Sequence, residues 1–376
     1  MKQGTLDSRL LGHNISKRIM EDVRSQRVCG AAVAVLQHGQ MVYEAALGYQ
    51  HPQQQEPLRQ DAIFRIASMT KPVTTVAVLL QAQRGKLKLD DEISKYLPLY
   101  TRIPLAETGT YCTVPVQIWH LLTHTSGMEA EPEYRTRARS LPMEYKKTLA
   151  GSVDYYASIP VSYEPGTCRR YSGRTTFDIL ARIVELTSGI PFEDFVQQEI
   201  FAPCGMVDTT FAPTPAQWER VVGMHDYLNG CGVASETTPG CVVDDYPVTH
   251  PLGGSGLVST VADYVKFAQM LLNKGMAPGG RILNPEWIEQ MAAAQLPAEM
   301  MSESVNQGLG VRTITGDGYP WLPSGTFGWS GAYGTHYWVD PVTEIIAVYM
   351  KNSRYDGGSG ALTGKHFEED VFSSIL

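Results

Sequence analysis

Two stretches with different structural preferences meet in the segment Phe64-Arg65-Ile66-Ala67-Ser68-Met69-Thr70-Lys71-Pro72-Val73-Thr74. The residues that lead into it, Ile63–Ile66, form a strand-like apolar run, and those that lead out, Val73–Leu80, form an apolar helix. Pro72 is compatible with that helix only near its start, because the first N–H groups of a helix have no intrahelical partner. The segment therefore predicts a strand followed at once by a helix that begins near Ser68.

Ser68 and Lys71 within this segment fit the pattern Ser-x-x-Lys. At the start of a helix, residues three apart lie on one face, so the lysine ammonium reaches the serine hydroxyl. A serine hydroxyl becomes a good nucleophile when an adjacent group takes its proton, and a buried lysine can do so. Amides at a helix N-terminus also favour negative charge that develops nearby. The pattern thus indicates an activated serine, and the alternative is a polar helix cap beside a surface lysine.

The composition of the whole chain is that of a folded, acidic protein. It has 376 residues, of which 43% are hydrophobic, with 31 Lys and Arg against 39 Asp and Glu, a net charge of −8. The hydrophobic fraction excludes a disordered or collagen-like chain. No run of basic residues occurs, which argues against a nucleic-acid partner because neutralising phosphates requires a basic surface. The length suggests about two domains.

The cysteines lie far apart and form no Cys-x-x-Cys pair; they are Cys29, Cys112, Cys168, Cys204, Cys231 and Cys241. This distribution favours ordinary buried thiols in a reducing compartment over a disulfide framework or a zinc site. The first dozen residues contain no apolar signal-peptide core, and no run reaches the ~18 apolar residues that span a bilayer. We therefore predict a cytoplasmic protein without a membrane span.

The N-terminal part of the chain is predicted to form one helix and then two strands, and the middle of the chain is predicted to form mostly helices. Ser8–Arg24 has helical spacing, and Ala31–Gln37 and Val42–Leu47 indicate two strands joined by a tight turn. The middle of the chain is mostly helical, with helices predicted at Val73–Arg84, Pro115–Thr123, Val153–Ile159, Thr176–Thr187 and Phe192–Phe201.

The last third of the chain returns to strands. One helix, Ser259–Asn273, comes first, with Ser259 or Thr260 as its expected N-cap and Gly275 as its C′ stop. Strand patterns and a closing amphipathic helix follow at Gly310–Thr315, Gly334–Val339, Glu344–Met350 and Gly364–Ile375.

The order of these elements predicts an α+β fold. The early and late strands join in one antiparallel sheet flanked by the N- and C-terminal helices, and the middle forms a mostly helical inserted domain. We assign residues 1–70 and 255–376 to the sheet domain and residues 71–254 to the inserted domain. A cleft between two such domains is a preferred place for a small ligand, so we expect the active site there.

Further motifs follow the Ser68 segment in a fixed order: Leu121-Leu122-Thr123-His124-Thr125-Ser126-Gly127, Tyr163-Glu164-Pro165-Gly166, Arg170-Tyr171-Ser172-Gly173 and Gly253-Gly254-Ser255-Gly256-Leu257-Val258-Ser259-Thr260. From about residue 28 to 350, the chain resembles the serine β-lactamase-like superfamily, in its class C β-lactamase and DD-peptidase branch. The resemblance implies a β-lactamase/transpeptidase-like fold in which Ser68 is the acylated nucleophile, Lys71 its partner in proton transfer and Tyr171 a general base. A cation such as Lys71 would stabilise the phenolate that a tyrosine base requires, and a core tyrosine is the alternative.

Two positions depart from the pattern of that superfamily. Gly173 stands where the Tyr-x-Asn motif has an amide side chain, so one donor to a β-lactam or peptide amide is lost. The motif Lys-Thr-Gly is absent, and Trp329-Ser330-Gly331 stands in its expected place. Trp329 offers an apolar face and one N–H donor instead of a cation for the substrate carboxylate. Both departures argue against penicillin or D-Ala-D-Ala as the substrate.

The segment Trp329-Ser330-Gly331 resembles the Trp-x-Gly motif of the β-lactamase-like carboxylesterases, often called family VIII, and of related acyltransferases. This resemblance implies that the strand edge, with Trp329, Ser330 and Gly331, lines the acyl pocket. It also implies that the backbone amides of Ser68 and Ala332 form the oxyanion hole, in which the loss of one donor costs ~2.7–4 kcal/mol. Plain core packing is the alternative for Trp329.

Three histidines are weaker candidates. His120 and His124 have the i, i+4 spacing of a helical metal pair, but the glutamate of His-Glu-x-x-His is missing, so we interpret both as structural and expect no metal. His336 lies two residues beyond Gly334 on the presumed site strand. It either contacts substrate or is a solvated histidine at a strand end.

We therefore predict a cofactor-free serine hydrolase that acts through an acyl-enzyme on a small-molecule ester or amide, or that transfers the acyl group to another acceptor. A β-lactamase or D-amino-acid peptidase is the first alternative, and it would need Arg312 or Arg354 as the substrate-binding cation. A non-catalytic sensor or scaffold is the second, although a scaffold has no physical need for Ser68, Lys71 and Tyr171. The sequence does not specify an oligomeric state.

Overall fold

The structure, a computed structural model, describes residues 4–235 and 250–376. Cys241, one of the cysteines interpreted above, lies outside the described residues. The five other cysteines are free thiols, but of these only Cys204 is buried and Cys231 is exposed, so the interpretation as buried thiols was wrong for the other four. In the part of the chain that is described, no helix is both long enough and apolar enough to cross a membrane.

The strands are, in chain order, β1 (Gly30–Gln37), β2 (Gln40–His51), β3 (Gln54–Pro57), β4 (Phe64–Arg65), β5 (His225–Leu228), β6 (Cys231–Ala234), β7 (Val258–Ser259), β8 (Met276–Ala277), β9 (Gly280–Arg281), β10 (Val305–Gln307), β11 (Arg312–Ile314), β12 (Phe327–Ser330), β13 (His336–Asp340) and β14 (Ile345–Met350).

The α-helices are α1 (Ser8–Arg24), α2 (Thr70–Gln83), α3 (Ile118–Leu122), α4 (Pro132–Arg139), α5 (Met143–Lys146), α6 (Leu149–Tyr156), α7 (Thr175–Ser188), α8 (Phe192–Val196), α9 (Ala202–Cys204), α10 (Pro215–Trp218), α11 (Val261–Leu272), α12 (Pro285–Ala292) and α13 (Leu362–Ser373). Short 3₁₀ turns and one π-helical turn complete the helical elements, at Ala67–Met69, Ile93–Lys95, Pro98–Thr101, Gln197–Phe201 and Ala298–Met300.

An eight-stranded antiparallel sheet joins the two ends of the chain, in the order β10-β11-β12-β13-β14-β1-β2-β3. Strand β1 pairs with β14 from Ala32 opposite Met350 to Gln37 opposite Ile345, and it pairs with β2 on its other edge. The early and late strands therefore form one sheet, and the predicted fold class is confirmed.

Strand β1 is buried along its whole length because both faces of the sheet are covered. Its residues Ala31, Val33 and Val35 face a core formed with helices α1 and α13, whereas the alternate residues face the core around α2 and α11. This alternation follows from the two-residue period of a strand. A strand buried on both sides shows a continuous apolar run rather than an alternating one.

Most predicted helices appear within a few residues of their expected bounds, but the end of α11 differs. Thr260 is its N-cap, accepting a hydrogen bond of 3.1 Å from the amide of Asp263. Lys274, not Gly275, is the first residue after the C-cap, and it adopts the left-handed conformation with φ +51°. Gly275 follows with φ +86°, and its amide donates to Met270. The predicted C′ stop was therefore one residue too late.

The helical middle of the chain leaves and rejoins the rest of the protein at one place. Strand β4 pairs with β7, with Phe64 opposite Ser259 and Arg65 opposite Val258. Between these strands, α2 packs against α7 and α8 in the interior. The exact division at residues 70/71 and 254/255 stays a prediction.

Candidate active site

Ser68 lies on the 3₁₀ turn Ala67–Met69, between strand β4 and helix α2. Ala67 has a φ of +45°, a left-handed conformation that costs a residue with a side chain on the order of 1–3 kcal/mol. Thr70 fastens the turn because its hydroxyl donates to the Ala67 carbonyl over 2.8 Å. The side chain of Ser68 is thus presented on a strained turn whose conformation is held by its neighbours.

Three side chains that the motifs single out meet at this turn. Ser68 Oγ and Tyr171 Oη share a hydrogen bond of 2.6 Å, and Lys71 Nζ donates to Ser68 Oγ over 3.4 Å. Lys71 comes from the first turn of α2, whereas Tyr171 comes from the loop that precedes α7. The hydroxyl of Ser68 therefore contacts a phenol oxygen that can exchange a proton with it and an ammonium that donates to it.

Lys71 is fully buried, and its ammonium uses its three donors in three directions. Two donate to the carbonyl oxygens of Gly173 and Gly254, over 2.7 and 2.8 Å, and the third points to Ser68 Oγ. Lys71 forms no ion pair within residues 4–235 and 250–376. Carbonyl dipoles orient the ammonium without cancelling its charge, so the charge remains able to attract negative charge that develops on a neighbouring oxygen.

A buried glutamate holds the loop that carries Tyr171. One carboxylate oxygen of Glu129 accepts a hydrogen bond of 2.6 Å from the Ser172 hydroxyl and bonds of 2.8 and 2.7 Å from the amides of Arg174 and Thr175. These amides begin α7, so Glu129 acts as a cap supplied from another part of the chain. Sequence reasoning missed Glu129, because a single glutamate has no spacing pattern that reveals such a role.

His124 lies directly behind Tyr171. Its ring contacts the rings of Tyr171, Phe177 and Trp329, at centroid distances of 4.8, 5.5 and 5.8 Å. Burial, together with the nearby cations Arg169 and Lys71, holds the pKa of His124 well below its usual value. Neutral imidazole therefore packs against the tyrosine ring.

His120 is occupied by the start of its own helix. Its Nδ1 accepts a hydrogen bond of 3.0 Å from the amide of Gln117, and burial lowers its pKa to about 4. No group of three or more His, Cys, Asp or Glu side chains is arranged to hold a metal ion in the described ranges, 4–235 and 250–376.

The turn between β12 and β13 is fastened to the residues just ahead of Ser68. The Thr335 hydroxyl donates to the Ile66 carbonyl over 3.0 Å, and the Gly331 amide donates to the Thr335 carbonyl over 2.7 Å. A Cβ atom on Gly331 would collide with the Thr335 hydroxyl and with the Ile66 carbonyl oxygen, so the close packing of this turn against Ile66 requires glycine. The turn places Ala332 beside Ser68, and both residues line the same two cavities.

The backbone amides of Ser68 and Ala332 remain available for an oxyanion. Among the described turns and loops, neither amide is the donor of a backbone hydrogen bond. Two unpaired N–H groups next to a candidate nucleophile are the arrangement that acyl-transfer enzymes use to stabilise a tetrahedral intermediate.

Ser68 lies at the junction of two cavities. The larger has a volume of about 340 Å³ and is lined by Ser68, Arg169, Tyr171, Met301, Val305, Asn306, Gln307, Arg312, Trp329, Ser330, Ala332, Gly358 and Ser359. The smaller, of about 110 Å³, is lined by Arg65, Ala67, Ser68, Arg139, Tyr171, Gly173, Arg174, Ser255, Ala332 and Tyr333. Trp329 borders the larger cavity and also packs into the main core, so both interpretations of this residue describe part of its environment.

His336 is buried, and the interpretation of it as a solvated histidine at a strand end is wrong. Its Nδ1 and Ser330 Oγ are 2.9 Å apart, and its Nε2 and Glu368 Oε1 are 3.0 Å apart. The ring therefore lies behind Ser330, and His336 is not one of the residues that line the larger cavity. Its burial follows from helix α13, which covers this face of β13 and brings Glu368.

Glu368 is the second functional candidate that sequence reasoning missed. Its carboxylate accepts hydrogen bonds from Arg312, 2.8 Å away, and from the Tyr319 hydroxyl, 2.7 Å away. Burial opposes its ionisation, but the hydrogen bond from His336 and the charges of His336 and Arg312 prevail and lower the pKa of Glu368 to about 2. Glu368 is therefore an anion that links three side chains behind the cavity wall.

A model of the family described as Beta-lactamase matches residues 15–366. The chain belongs to the β-lactamase family. Esterase EstB from Burkholderia gladioli is 29% identical to it, over 96% of this chain and 95% of the esterase. The D-alanyl-D-alanine-carboxypeptidase/endopeptidase AmpH from Escherichia coli is 28% identical, but over only 65% of this chain and 57% of its own length.

A solved structure agrees with the fold of this β-lactamase-family protein over nearly its whole length. EstCE1, described as a hydrolase with promiscuous acyltransferase activity, superimposes with a TM-score of 0.85 and covers 97% of this chain and 99% of its own. The two sequences are 23% identical, so the likeness establishes the fold alone. It confirms the β-lactamase/transpeptidase-like architecture expected from the motifs.

The structure also places the arginines that a β-lactamase or peptidase would need in place of the missing lysine. Arg312, on β11, lines the larger cavity while it binds Glu368 from behind. Arg354 lies after β14, where its amide donates to the carbonyl of His225, and it is not among the residues lining either cavity. Of these two candidates, only Arg312 is positioned to meet a ligand in this family member.

Proposed function

We propose that this β-lactamase-family serine hydrolase cleaves small carboxylic esters through an acyl-enzyme, with transfer of the acyl group to another acceptor as a variant of the same chemistry. The observation that carries the proposal is the contact of Ser68 Oγ with Tyr171 Oη and Lys71 Nζ. The similarity to an esterase over almost the whole chain supports an ester as the substrate.

In the proposed acylation step, Tyr171 acts as the phenolate: Ser68 Oγ attacks the carbonyl carbon of the ester and its proton passes to the phenolate oxygen of Tyr171. The ammonium of Lys71, 5.1 Å from the centre of the Tyr171 ring, lies close enough to attract the negative charge that moves between the two oxygens during proton transfer. The carbonyl oxygen becomes an oxyanion that accepts hydrogen bonds from the amides of Ser68 and Ala332. When this intermediate collapses, the ester C–O bond breaks, the alkoxide takes the proton from Tyr171, and the acyl group remains on Ser68.

Deacylation repeats these steps with a new nucleophile. Tyr171 takes a proton from a water molecule, whose oxygen attacks the acyl carbon, and the proton returns to Ser68 Oγ as the acid leaves. An alcohol or an amine in place of water yields a new ester or amide, which is acyl transfer. Both outcomes use the same residues, because they differ only in the acceptor.

The larger cavity is the proposed acyl pocket. Trp329, Met301 and Val305 give it an apolar surface, and Ser330 adds a hydroxyl held by His336. A volume of about 340 Å³ suits a small acyl group. Gly173 borders the smaller cavity, on the other side of Ser68, where it leaves room for the leaving group. Gly331 contributes by allowing the close approach of its turn to Ile66.

Intact-protein mass spectrometry with two substrates tests this proposal. The protein is mixed with p-nitrophenyl butyrate or, separately, with a chromogenic cephalosporin, while product release is followed. We expect a butyryl adduct that maps to Ser68, with rapid ester turnover and little lactam hydrolysis. Fast turnover of the cephalosporin would show instead that another cation replaces the missing lysine.

The variant Ser68→Ala is the matched control for that experiment. It should lose the adduct, and turnover should fall by on the order of 10⁶-fold, as when serine hydrolases lose their nucleophile. The fold should persist, as judged by circular dichroism. Persistent ester turnover in Ser68→Ala would overturn the assignment of the nucleophile.

A β-lactamase or D-amino-acid peptidase is the second candidate, and Arg312 is the observation that favours it. Its guanidinium lines the cavity that contains Ser68, where it is able to meet a substrate carboxylate. The partial similarity to AmpH points in the same direction. The cephalosporin arm of the experiment decides between the two candidates, and failure of any ester or lactam to label Ser68 would favour a non-catalytic sensor or scaffold.

We also propose that the protein works in the cytoplasm and that residues 71–254 form the inserted domain. Unpaired cysteines suit a reducing compartment, and the five described cysteines are free. The β4–β7 ladder supports the domain boundary because it joins the two points where the helical segment begins and ends. Cell fractionation tests the first proposal, and limited proteolysis near residues 70 and 254 tests the second.

A further inference from the structure

The wall of the larger cavity contains two arginines, Arg169 and Arg312, and no carboxylate among the described residues. Arg312 is already paired, because Glu368 accepts a hydrogen bond of 2.8 Å from its guanidinium. Its charge is therefore largely balanced from behind the wall. The other arginine has no such partner.

Arg169 is more than half buried and carries an uncompensated charge. Its guanidinium donates to the side-chain oxygen of Gln307 over 2.9 Å, and its Nε is buried without a hydrogen-bond partner. Within residues 4–235 and 250–376 it forms no ion pair. Burial lowers the pKa of Arg169, because removing the charged guanidinium from water is unfavourable. A cation kept at such a cost, at the edge of a cavity, is suited to an anionic ligand.

The charged and titratable groups around Arg169 do not supply that anion. The hydroxyls of Tyr163 and Tyr171 interact with its charge, and its charge in turn acts on the ring of His124. The imidazole is neutral, and no carboxylate is among these groups. An anion from the substrate is therefore the group that this environment lacks.

The position of Arg169 relative to Tyr171 determines where that anion would lie. The two residues are separated by one residue on a segment without helical structure, and both line the larger cavity. Two residues separated by one position have Cα atoms at most about 7 Å apart. Because Tyr171 contacts Ser68, a ligand acylating Ser68 extends toward Arg169 with only a few intervening atoms.

We propose that the larger cavity selects esters whose acyl group ends in a second, free carboxylate, and that Arg169 binds this carboxylate. The inference rests on the proposed esterase function and adds the class of acyl group. A guanidinium matches a carboxylate with two parallel hydrogen bonds. The apolar side chains Met301, Val305 and Trp329 line the cavity between its polar groups and contact the methylene groups of such a chain.

The test compares monoethyl esters of dicarboxylic acids, such as monoethyl adipate, with ethyl alkanoates of the same chain length, such as ethyl hexanoate. In the wild-type protein we expect kcat/KM to be ~10–100-fold higher for the anionic ester, as expected when a hydrogen bond to a charged group is made. In Arg169→Met, which keeps an unbranched side chain of similar stem length and removes the guanidinium and its charge, the ratio of the two values should fall to near one. A series of chain lengths locates the best distance.

Arg170→Met provides the matched control. Arg170 is the next residue, but its side chain is exposed and paired with Glu131, and it lines neither cavity. Its loss should leave the ratio at the wild-type value. Equal kcat/KM for the two esters in the wild-type protein, or the same fall of the ratio in Arg170→Met, would overturn the inference.

A binding measurement separates this inference from the proposed chemistry. Calorimetric titration of Ser68→Ala with monoethyl adipate should show binding that becomes at least ~10-fold weaker when Arg169→Met is added. Equal binding in the two variants would contradict the role of Arg169. The absence of an acyl adduct with every ester would contradict the esterase function, whereas ester turnover without preference for the anionic ester would contradict this inference alone.

Discussion

Two walls of the site meet at Ser68 and hold their cations in opposite ways. The first, which we call the proton-transfer wall, contains Lys71 and Tyr171, and its cation Lys71 is held by the carbonyl oxygens of Gly173 and Gly254, without a carboxylate. The second, which we call the sheet-edge wall, contains Arg312 and Trp329, and its cation Arg312 is held directly by the carboxylate of Glu368. Carbonyl dipoles fix the direction of a cation and leave its charge effective, whereas a carboxylate neutralises it. The first arrangement suits a group that promotes proton transfer, and the second suits a rigid support.

The two walls also differ in the pKa values of their buried carboxyl groups, Asp178 and Glu368. Asp178, on α7, has a pKa raised to about 6, because burial outweighs the attraction of Arg174, 3.4 Å away. Glu368, on α13, has a pKa lowered to about 2, because burial is outweighed by His336 and Arg312. At Glu368, His336 and Arg312 outweigh burial, whereas at Asp178 Arg174, the hydrogen bond from Tyr156 and the charge of Lys71 do not. Burial alone therefore does not predict the direction in which the pKa of a carboxyl group in this protein is shifted.

The largest effect should come from the proton-transfer wall. Tyr171→Phe keeps the ring that packs against His124 and removes the hydroxyl that touches Ser68 Oγ. Ester turnover should fall by ~10²–10⁴-fold, as is typical for a lost acid/base group. Steady-state kinetics with p-nitrophenyl butyrate provides the measurement.

Tyr155→Phe is the control for that variant, since Tyr155 lies on α6 and lines neither cavity. It should retain wild-type turnover and the same thermal midpoint. Undiminished turnover in Tyr171→Phe would remove the hydroxyl from the mechanism and would mean that another group takes the proton of Ser68.

A smaller effect, on stability, should come from the sheet-edge wall. The folded-state pKa of Glu368, about 2, lies below its unfolded value of about 4.5, so its stabilising contribution is present above pH 4.5 and is lost as the pH falls toward 2. The shift corresponds to roughly 3 kcal/mol. In Glu368→Gln, the decline of unfolding free energy between pH 5 and pH 2 should be smaller by about that amount.

Urea unfolding at several pH values measures this difference. Glu369→Gln is the matched control, because Glu369 is the next residue on α13 and its half-exposed carboxylate contacts Arg18. Its acid dependence should follow that of the wild-type protein. An unchanged acid dependence in Glu368→Gln would show that Glu368 is not the anion that organises this wall.

The same two walls show which parts of the site a sequence can predict. Ser68 and Lys71 are one helical turn apart, so short-range spacing was enough to predict their contact. Tyr171, 103 residues from Ser68, was identified only because its motif resembles that of a known superfamily. Glu129 reaches Ser172 across 43 residues, and Glu368 reaches Arg312 across 56. Contacts at that separation depend on how helices pack onto the sheet, and no local pattern encodes them.

In the fold, too, some features could be predicted from the sequence and others could not. Strands β1 and β14 were predictable because each is a short apolar run bounded by turn residues, and their pairing follows from the order of elements. The burial of His336 was not predictable, because it depends on where α13 crosses β13. Arg169 was overlooked although it lies two residues from Tyr171, since its significance lies in the lack of a partner, which only the structure reveals.

The smallest effect should come from Asp178, with a sign opposite to that of Glu368. Its folded-state pKa of about 6 lies above the unfolded value of 3.8, so the folded protein binds the extra proton between these values and loses stability as the pH rises through them. The shift corresponds to up to ~3 kcal/mol. Asp178→Asn imitates the protonated form and keeps an acceptor for the Tyr156 hydroxyl, 3.1 Å away.

The decline in unfolding free energy between pH 4 and pH 7 should therefore be smaller in Asp178→Asn than in the wild-type protein. Asp154→Asn, which changes an exposed carboxylate on α6, should leave the pH dependence as it is. If Asp178→Asn instead destabilises the protein equally at all pH values, the ion pair with Arg174 outweighs burial. The pKa values of Asp178 and Glu368 would then both be lowered by their partners, and the contrast between the two walls would be confined to the cations.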